Sequence, residues 1–110
     1  MDIGKLQREY LPMSETAYYM LLSLSEVRHG YGIMQHVEEL TGGRIRLGAG
    51  TVYGTLSRLD KDGLIRAVAE VERRKLYEIT PMGVALLKAE AARIKELYEN
   101  GRKIRDDIYD

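Results

Sequence analysis

The sequence predicts a mainly α-helical fold with a small β-hairpin, and three observations predict it. Residues 29–65, HGYGIMQHVEELTGGRIRLGAGTVYGTLSRLDKDGLI, have the pattern helix, glycine-rich turn, helix, with Ile33, Val37 and Leu40, then Val52, Leu56 and Leu59, at i, i+4, i+7. Residues 65–71, IRAVAEV, alternate apolar and polar at period two, as do Leu76 to Thr80 more loosely, so the two runs pair as a hairpin around Glu72, Arg73, Arg74 and Lys75. From Pro81 to about Asn100, the residues Val84, Leu87, Ala91, Ile94 and Tyr98 step by 3, 4, 3 and 4, a coiled-coil seam two heptads long.

The elements follow in order. Residues up to about Met13 form a polar lead-in, partly helical. Ser14 is a good N-cap and Glu15 suits the positive helix end, so a helix runs from there to about Glu26 and buries Ala17, Met20, Leu21 and Leu24. The loop from His29 to Gly32 opens the next helix, which Gly42-Gly43 stops. Arg44 to Leu47 suit a short extended piece. Gly48-Ala49-Gly50 is the turn into the third helix, with Thr51 at or next to its N-cap, and Asp62-Gly63 ends it. Thr80-Pro81 starts the last helix, Thr as N-cap and Pro where its missing N–H costs nothing. The tail from Arg102 to Asp110 is expected to fray. Helix, helix, helix, hairpin, helix is the order of a winged helix-turn-helix (residues 1–80) followed by a C-terminal dimerisation helix and tail (residues 81–110).

Composition narrows the function classes. A chain of 110 residues is one domain, near the size at which dimerisation adds useful burial. Without cysteine, disulfides, thiolate zinc sites and cysteine nucleophiles are excluded. No apolar run approaches the roughly 18 residues of a membrane span, and the charged N-terminus has no apolar stretch of a secretory signal. These features predict a soluble cytoplasmic protein with no membrane partner.

The third helix carries the functional signal. Opposite its buried stripe lie Thr51, Gly54, Thr55 and Arg58, small, polar or basic and free of carboxylates, a face suited to a DNA major groove. The zero net charge is segregated: residues 44–75 carry eight bases, Arg46 among them, and four acids, and the rest of the chain carries the opposite excess. Phosphate contact depends on charge within a Debye length, about 10 Å, so the local excess matters more than the total, although any surface shows such fluctuations. Thr51 stands where helix amides are free. Arg58 is placed for a phosphate or a guanine edge. Arg73 and Arg74 suit phosphate contacts, though a solvated turn has the same composition.

Other chemistry finds no support. His29 and His36 are seven apart with no carboxylate at ligand spacing to both, so no metal site is expected. Gly30-x-Gly32 and Gly48-x-Gly50 lack the third glycine and the Lys-Ser/Thr of a phosphate loop, and no serine has a G-x-S-x-G setting. Neither a catalytic constellation nor a cofactor is expected.

H-G-Y-G-I, T-G-G-R-I-R-L, G-T-V-Y-G-T-L-S-R-L-D-K-D-G-L-I and R-K-L-Y-E-I-T-P-M-G, in this order and spacing, resemble the PadR-like transcriptional regulators, named for the phenolic acid decarboxylase repressor. The resemblance covers roughly residues 13–98 and implies a homodimeric DNA-binding regulator, usually a repressor. It further implies that Tyr31, Thr51, Tyr53 and Lys75 face the DNA backbone or groove; Tyr53 equally suits a plain boundary position. Two departures stand out: Gly54 occupies a position where relatives often have Pro, and the wing is short, with Arg73 and Arg74 in place of a longer glycine-rich tip.

The seam of Val84, Leu87, Ala91, Ile94 and Tyr98 is expected to pair two subunits with help from the N-terminal helix, the alternative being that it packs on its own domain. Pairing would set two recognition helices about 34 Å apart on a near-palindromic operator. The single C-terminal helix looks like the small subfamily with multidrug-binding members, whose drugs enter an aromatic cleft at the dimer interface. Tyr18, Tyr19 and Tyr98 could border such an effector site here, or be ordinary packing. The competing reading of the chain is a winged-helix module for protein contact, with neither operator nor effector.

Overall fold

The computed structural model describes residues 2–109. The elements are α1 (Ile3–Tyr10), α2 (Glu15–Ser23), α3 (Gly30–Leu40), α4 (Ala49–Lys61), β1 (Ile65–Val71), β2 (Arg74–Ile79) and α5 (Pro81–Ile104), followed by a 3-10 turn at Asp106–Tyr109. The lead-in expected to be partly helical contains helix α1, which ends at Tyr10. Asp2 caps it by accepting from Gly4, and Leu6 and Tyr10 enter the core.

The Ser14 hydroxyl caps α2 by accepting from Ala17 N–H, but the helix ends at Ser23 rather than near Glu26. The reason is tertiary. The Leu24 carbonyl accepts from Ile79, and Arg28 exchanges both backbone bonds with Tyr77, so the chain leaves the helix to flank β2. Arg44 to Leu47 form no strand, because no neighbouring strand offers them a partner. Instead Thr41 gathers the turn, its hydroxyl donating to Val37 O and accepting from Ile45 N–H.

The hairpin is antiparallel, from Ile65 opposite Ile79 to Val71 opposite Arg74, with a bulge between Ala67 and Ala69. Glu72 and Arg73 form its two-residue turn, both at positive φ (51° and 66°), as the twist of a tight hairpin demands.

Met20, Leu21, Leu24, Ile33, Val37, Val52, Leu56, Leu59, Leu64, Ile65 and Leu86 form one buried cluster. Leu40 departs from the expected stripe. It is 48% exposed in the last turn of α3. Helix α5 enters this core through Gly83 and Leu86. A Cβ on Gly83 would stand 2.2 Å from the Leu64 carbonyl oxygen, so only glycine allows the helix to seat there. The seam lies to one side of that face: Val84, Ala91, Ile94 and Tyr98 are exposed, while Leu87 is half-buried against the core.

The last helix runs four residues beyond the expected Asn100, to Ile104. The tail continues as a 3-10 turn, and Arg102–Asp106 and Arg105–Asp107 ion pairs bracket the junction. Among the described residues, no helix is long and apolar enough to cross a membrane.

Candidate nucleic-acid interface

Helix α4 begins at Ala49, with Gly48 as N-cap and no side chain closing the first turn. Thr51 is therefore its third residue rather than its cap, and the leading amides stay open to an external acceptor. Thr51, Tyr53 and Gly54 are exposed and Thr55 is half-buried. No atom lies within 4 Å of a Cβ built on Gly50 or Gly54, so internal packing does not require the smallness of this face.

Tyr53 is 52% exposed, yet its ring is anchored at the start of α3. A Cβ on Gly30 would come within 2.8 Å of that ring, so glycine at the head of α3 makes room for the recognition-helix tyrosine. Tyr31 is exposed beside His29, with ring centroids 6.5 Å apart.

The hairpin completes the surface. Arg73, Arg74 and Lys75 are exposed and, among the described residues, none enters an ion pair. Together with Tyr53, His29, Glu70 and Tyr77 they line one cleft of about 260 Å³ between the wing and the two helices. His29 was missed as a member of this group by sequence reasoning, which weighed it only as a metal ligand; its place just before the Gly-Tyr that opens α3 was the available signal.

Two of the expected contacts are otherwise occupied. Arg46 pairs with Glu38 at 2.9 Å on the surface. Arg58, expected to reach a phosphate or base edge, lies with its guanidinium 4.4 Å from the centroid of the Tyr10 ring, near the C-terminal end of α4.

Of the residues expected around an effector, Tyr18 and Tyr19 meet edge to face at 6.0 Å and line a second cleft, of about 290 Å³, with Met13, Glu15 and Ile94. Tyr98 does not line it. Hydrogen bonds from Arg44, then its charge, hold the Glu15 carboxyl below the usual range, so the acid beside this cleft is already paired. Among the described residues, no group of three or more His, Asp or Glu could hold a metal ion.

Helices α2, α3 and α4, a two-stranded wing behind α4, and the long terminal helix α5 define a winged helix-turn-helix protein. The model of the "Transcriptional regulator PadR-like family" matches residues 14–89. The chain belongs to that family.

It is similar to "Transcriptional regulator Rv3488" of Mycobacterium tuberculosis, with 36% identity over 72 residues, covering 63% of this chain and 64% of that protein. It also resembles an uncharacterized 37.1 kDa protein of transposon TN4556 from Streptomyces fradiae, with 37% identity over 82 residues, 74% of this chain and 23% of that one. The chain thus spans less than two thirds of either relative's length.

Among solved structures, a PadR family transcription regulator from Clostridium difficile superposes with a TM-score of 0.71 at 22% identity, covering 83% of this chain and 98% of that one. Bacillus subtilis PadR in complex with operator DNA gives 0.61 at 22% identity, covering 69% of this chain and 46% of that one. At such identities the likeness establishes the fold.

Proposed function

We propose that this regulator binds duplex DNA as a homodimer and represses transcription from a near-palindromic operator. The observation that carries the reading is the shared cleft: Tyr53 of the recognition helix and Arg73, Arg74 and Lys75 of the wing converge on one groove. A groove reader needs a helix whose outer face is small and a neighbouring set of cations to hold the phosphates on either side. Thr51 and Gly54, the open first turn of α4 and the unpaired wing cations meet that need. Tyr31 lies at the edge of the same surface and serves the backbone. Arg46 joins it only by giving up Glu38, an exposed pair whose loss costs little.

The apolar seam supports pairing. Val84, Ala91, Ile94 and Tyr98 face solvent on a helix whose other side already fills the core, so a second copy is the natural cover. The cleft of Met13, Glu15, Tyr18, Tyr19 and Ile94 adjoins that seam and would be closed by the partner, which makes it the site for a small-molecule effector. An effector there acts by favouring one spacing of the two recognition helices, and therefore binds the two states unequally.

The test is fluorescence anisotropy of a labelled duplex titrated at several salt concentrations. Affinity should fall steeply, by about 0.9 in log K per log salt for each phosphate neutralised. Salt-insensitive or absent binding would instead support the protein-contact module.

A further inference from the structure

The place of His29 in the fold selects one tautomer of its neutral ring. It is the N-cap of α3, and its Nδ1 accepts from the Gly32 N–H at 3.0 Å. A ring nitrogen that accepts carries no proton, so the neutral imidazole holds its proton on Nε2. The cap therefore selects one tautomer and leaves a single N–H donor directed away from the capped turn. That ring is also a wall of the cleft shared with Tyr53, Arg74 and Lys75.

Tyr53 brings a second neutral donor to the same place. Its hydroxyl lies 2.9 Å from where a Gly30 Cβ would be, so it is carried at the head of α3, one residue from His29. Around the two donors the hairpin supplies three cations against one carboxylate, Glu70. A cleft with two fixed neutral donors and a surplus of positive charge matches an oxyanion with several acceptor oxygens. It is a poor metal site, because its other charged members are mostly cations.

We infer that His29 Nε2–H and the Tyr53 hydroxyl form a phosphate-positioning pair that binds one phosphodiester of the duplex backbone, with Arg74 and Lys75 neutralising its charge. The inference rests on the DNA-binding reading and adds to it a division of labour. The cations attract and release counterions; the two neutral donors fix where the phosphate stops, and with it the register of α4 in the groove.

The division is measurable. His29→Ser keeps a strong N-cap but has no side chain long enough to reach the cleft. Its melting temperature should stay near that of the wild type, while duplex affinity falls about a hundred-fold, the loss of one hydrogen bond to a charged acceptor in each subunit of the dimer. Because the lost donor is neutral, the log–log salt plot should shift down in parallel; Lys75→Ala, which removes a cation from both subunits of the dimer, should instead lower its slope, by up to about 1.8. Imidazole nitrogen NMR shifts of the free wild-type protein should report the Nε2–H tautomer independently of any DNA. His29 ring resonances should move on adding duplex and stay put on adding inorganic phosphate at matched ionic strength.

An Nδ1–H tautomer, a His29→Ser variant within about two-fold of wild-type affinity, or a lowered slope for that variant would overturn the assignment. Ring shifts with inorganic phosphate alone would reassign the cleft to a small anion and overturn it equally. Failure of the wild type to bind any duplex would sink the underlying reading, and the tautomer measurement tells the two failures apart.

Discussion

The Tyr10 hydroxyl donates to Asp62 Oδ2 at 2.6 Å, and the face of the same ring carries the Arg58 guanidinium at 4.4 Å. Asp62 is the C-cap of α4, so the first helix of the chain grips the far end of the recognition helix. Burial, followed by the bond to Asp62, pushes the phenol well above its ordinary value of 10.0, so the hydroxyl keeps the proton it donates at neutral pH. Helix α1 also packs against α5. It is thereby a strut between the helix expected to pair subunits and the helix expected to read DNA.

Removing the two halves of this contact separates stability from recognition. Tyr10→Phe keeps the ring under Arg58 and should cost about 1 kcal/mol of stability in a thermal melt. Arg58→Ala should cost about 0.5–1 kcal/mol, the scale of a solvent-exposed cation–π contact. In competition assays with base-substituted duplexes, Arg58→Ala should leave base preference unchanged, against the contact to a guanine edge that the sequence suggested. A relaxed position would return Arg58 to the groove.

Subunit pairing is best probed at Ile94. It is 43% exposed, so Ile94→Asp should spare the monomer's fold and yield a monomer on sizing at micromolar concentration, with duplex affinity lost in parallel. Leu87→Asp is a poorer probe, because Leu87 leans on the subunit's own core and an acid there would unfold as well as dissociate. A dimer that survives Ile94→Asp would refute pairing through this seam.

Among the described residues, Glu90 is the one carboxylate in the core, 1% exposed. It accepts from Arg93 Nε at 2.5 Å and from Met13 N–H at 2.7 Å, fastening the α1–α2 link to α5. The bonds from Arg93 and then Met13 outweigh burial and lower its pKa from the ordinary 4.5. A folded-state pKa below the unfolded one gives stability that is complete above 4.5 and is lost as pH falls through the folded value. Wild-type melting temperature should therefore decline below about pH 4.5, and Glu90→Gln, less stable by about 1–2 kcal/mol near neutrality, should flatten that decline.

The wing turn holds Arg73 at φ 66°, where an L-residue is strained and glycine is not. Arg73→Gly should raise stability by about 1 kcal/mol and lower the salt slope of duplex binding by about 1.8, one phosphate contact fewer in each subunit of the dimer. A stabilised variant with an unchanged slope would show that Arg73 is a turn residue and no more.

Local pattern was enough to locate most elements. The 3.6-residue stripes marked α3 and α4, the alternation of Ile65 to Val71 marked the hairpin, and Ser14 and Thr80 marked the starts of α2 and α5, since each of these signals is set by neighbours a few residues away. The face of Thr51, Gly54, Thr55 and Arg58 was legible for the same reason, since helical periodicity alone decides which side chains share a side, although Thr55 proves half-buried. The early stop of α2 was not legible, because it depends on Ile79 and Tyr77, more than fifty residues downstream. Helix α1 was legible only in part: Ile3, Leu6 and Tyr10 fall at i, i+3, i+7, but the run is short and its partner Asp62 lies far along the chain.

Sequence by itself thus determined the order of elements, the winged-helix class, the PadR family and which helix has a small outer face, because periodicity, caps and motif spacing are properties of short stretches. Tertiary structure alone decided which outward side chains remain available. It drew Arg58 onto Tyr10 and Arg46 onto Glu38, brought His29 beside Tyr53 and the wing, and buried Glu90 between segments distant in the chain. Contacts between residues far apart in sequence are settled by packing geometry, which no local pattern contains.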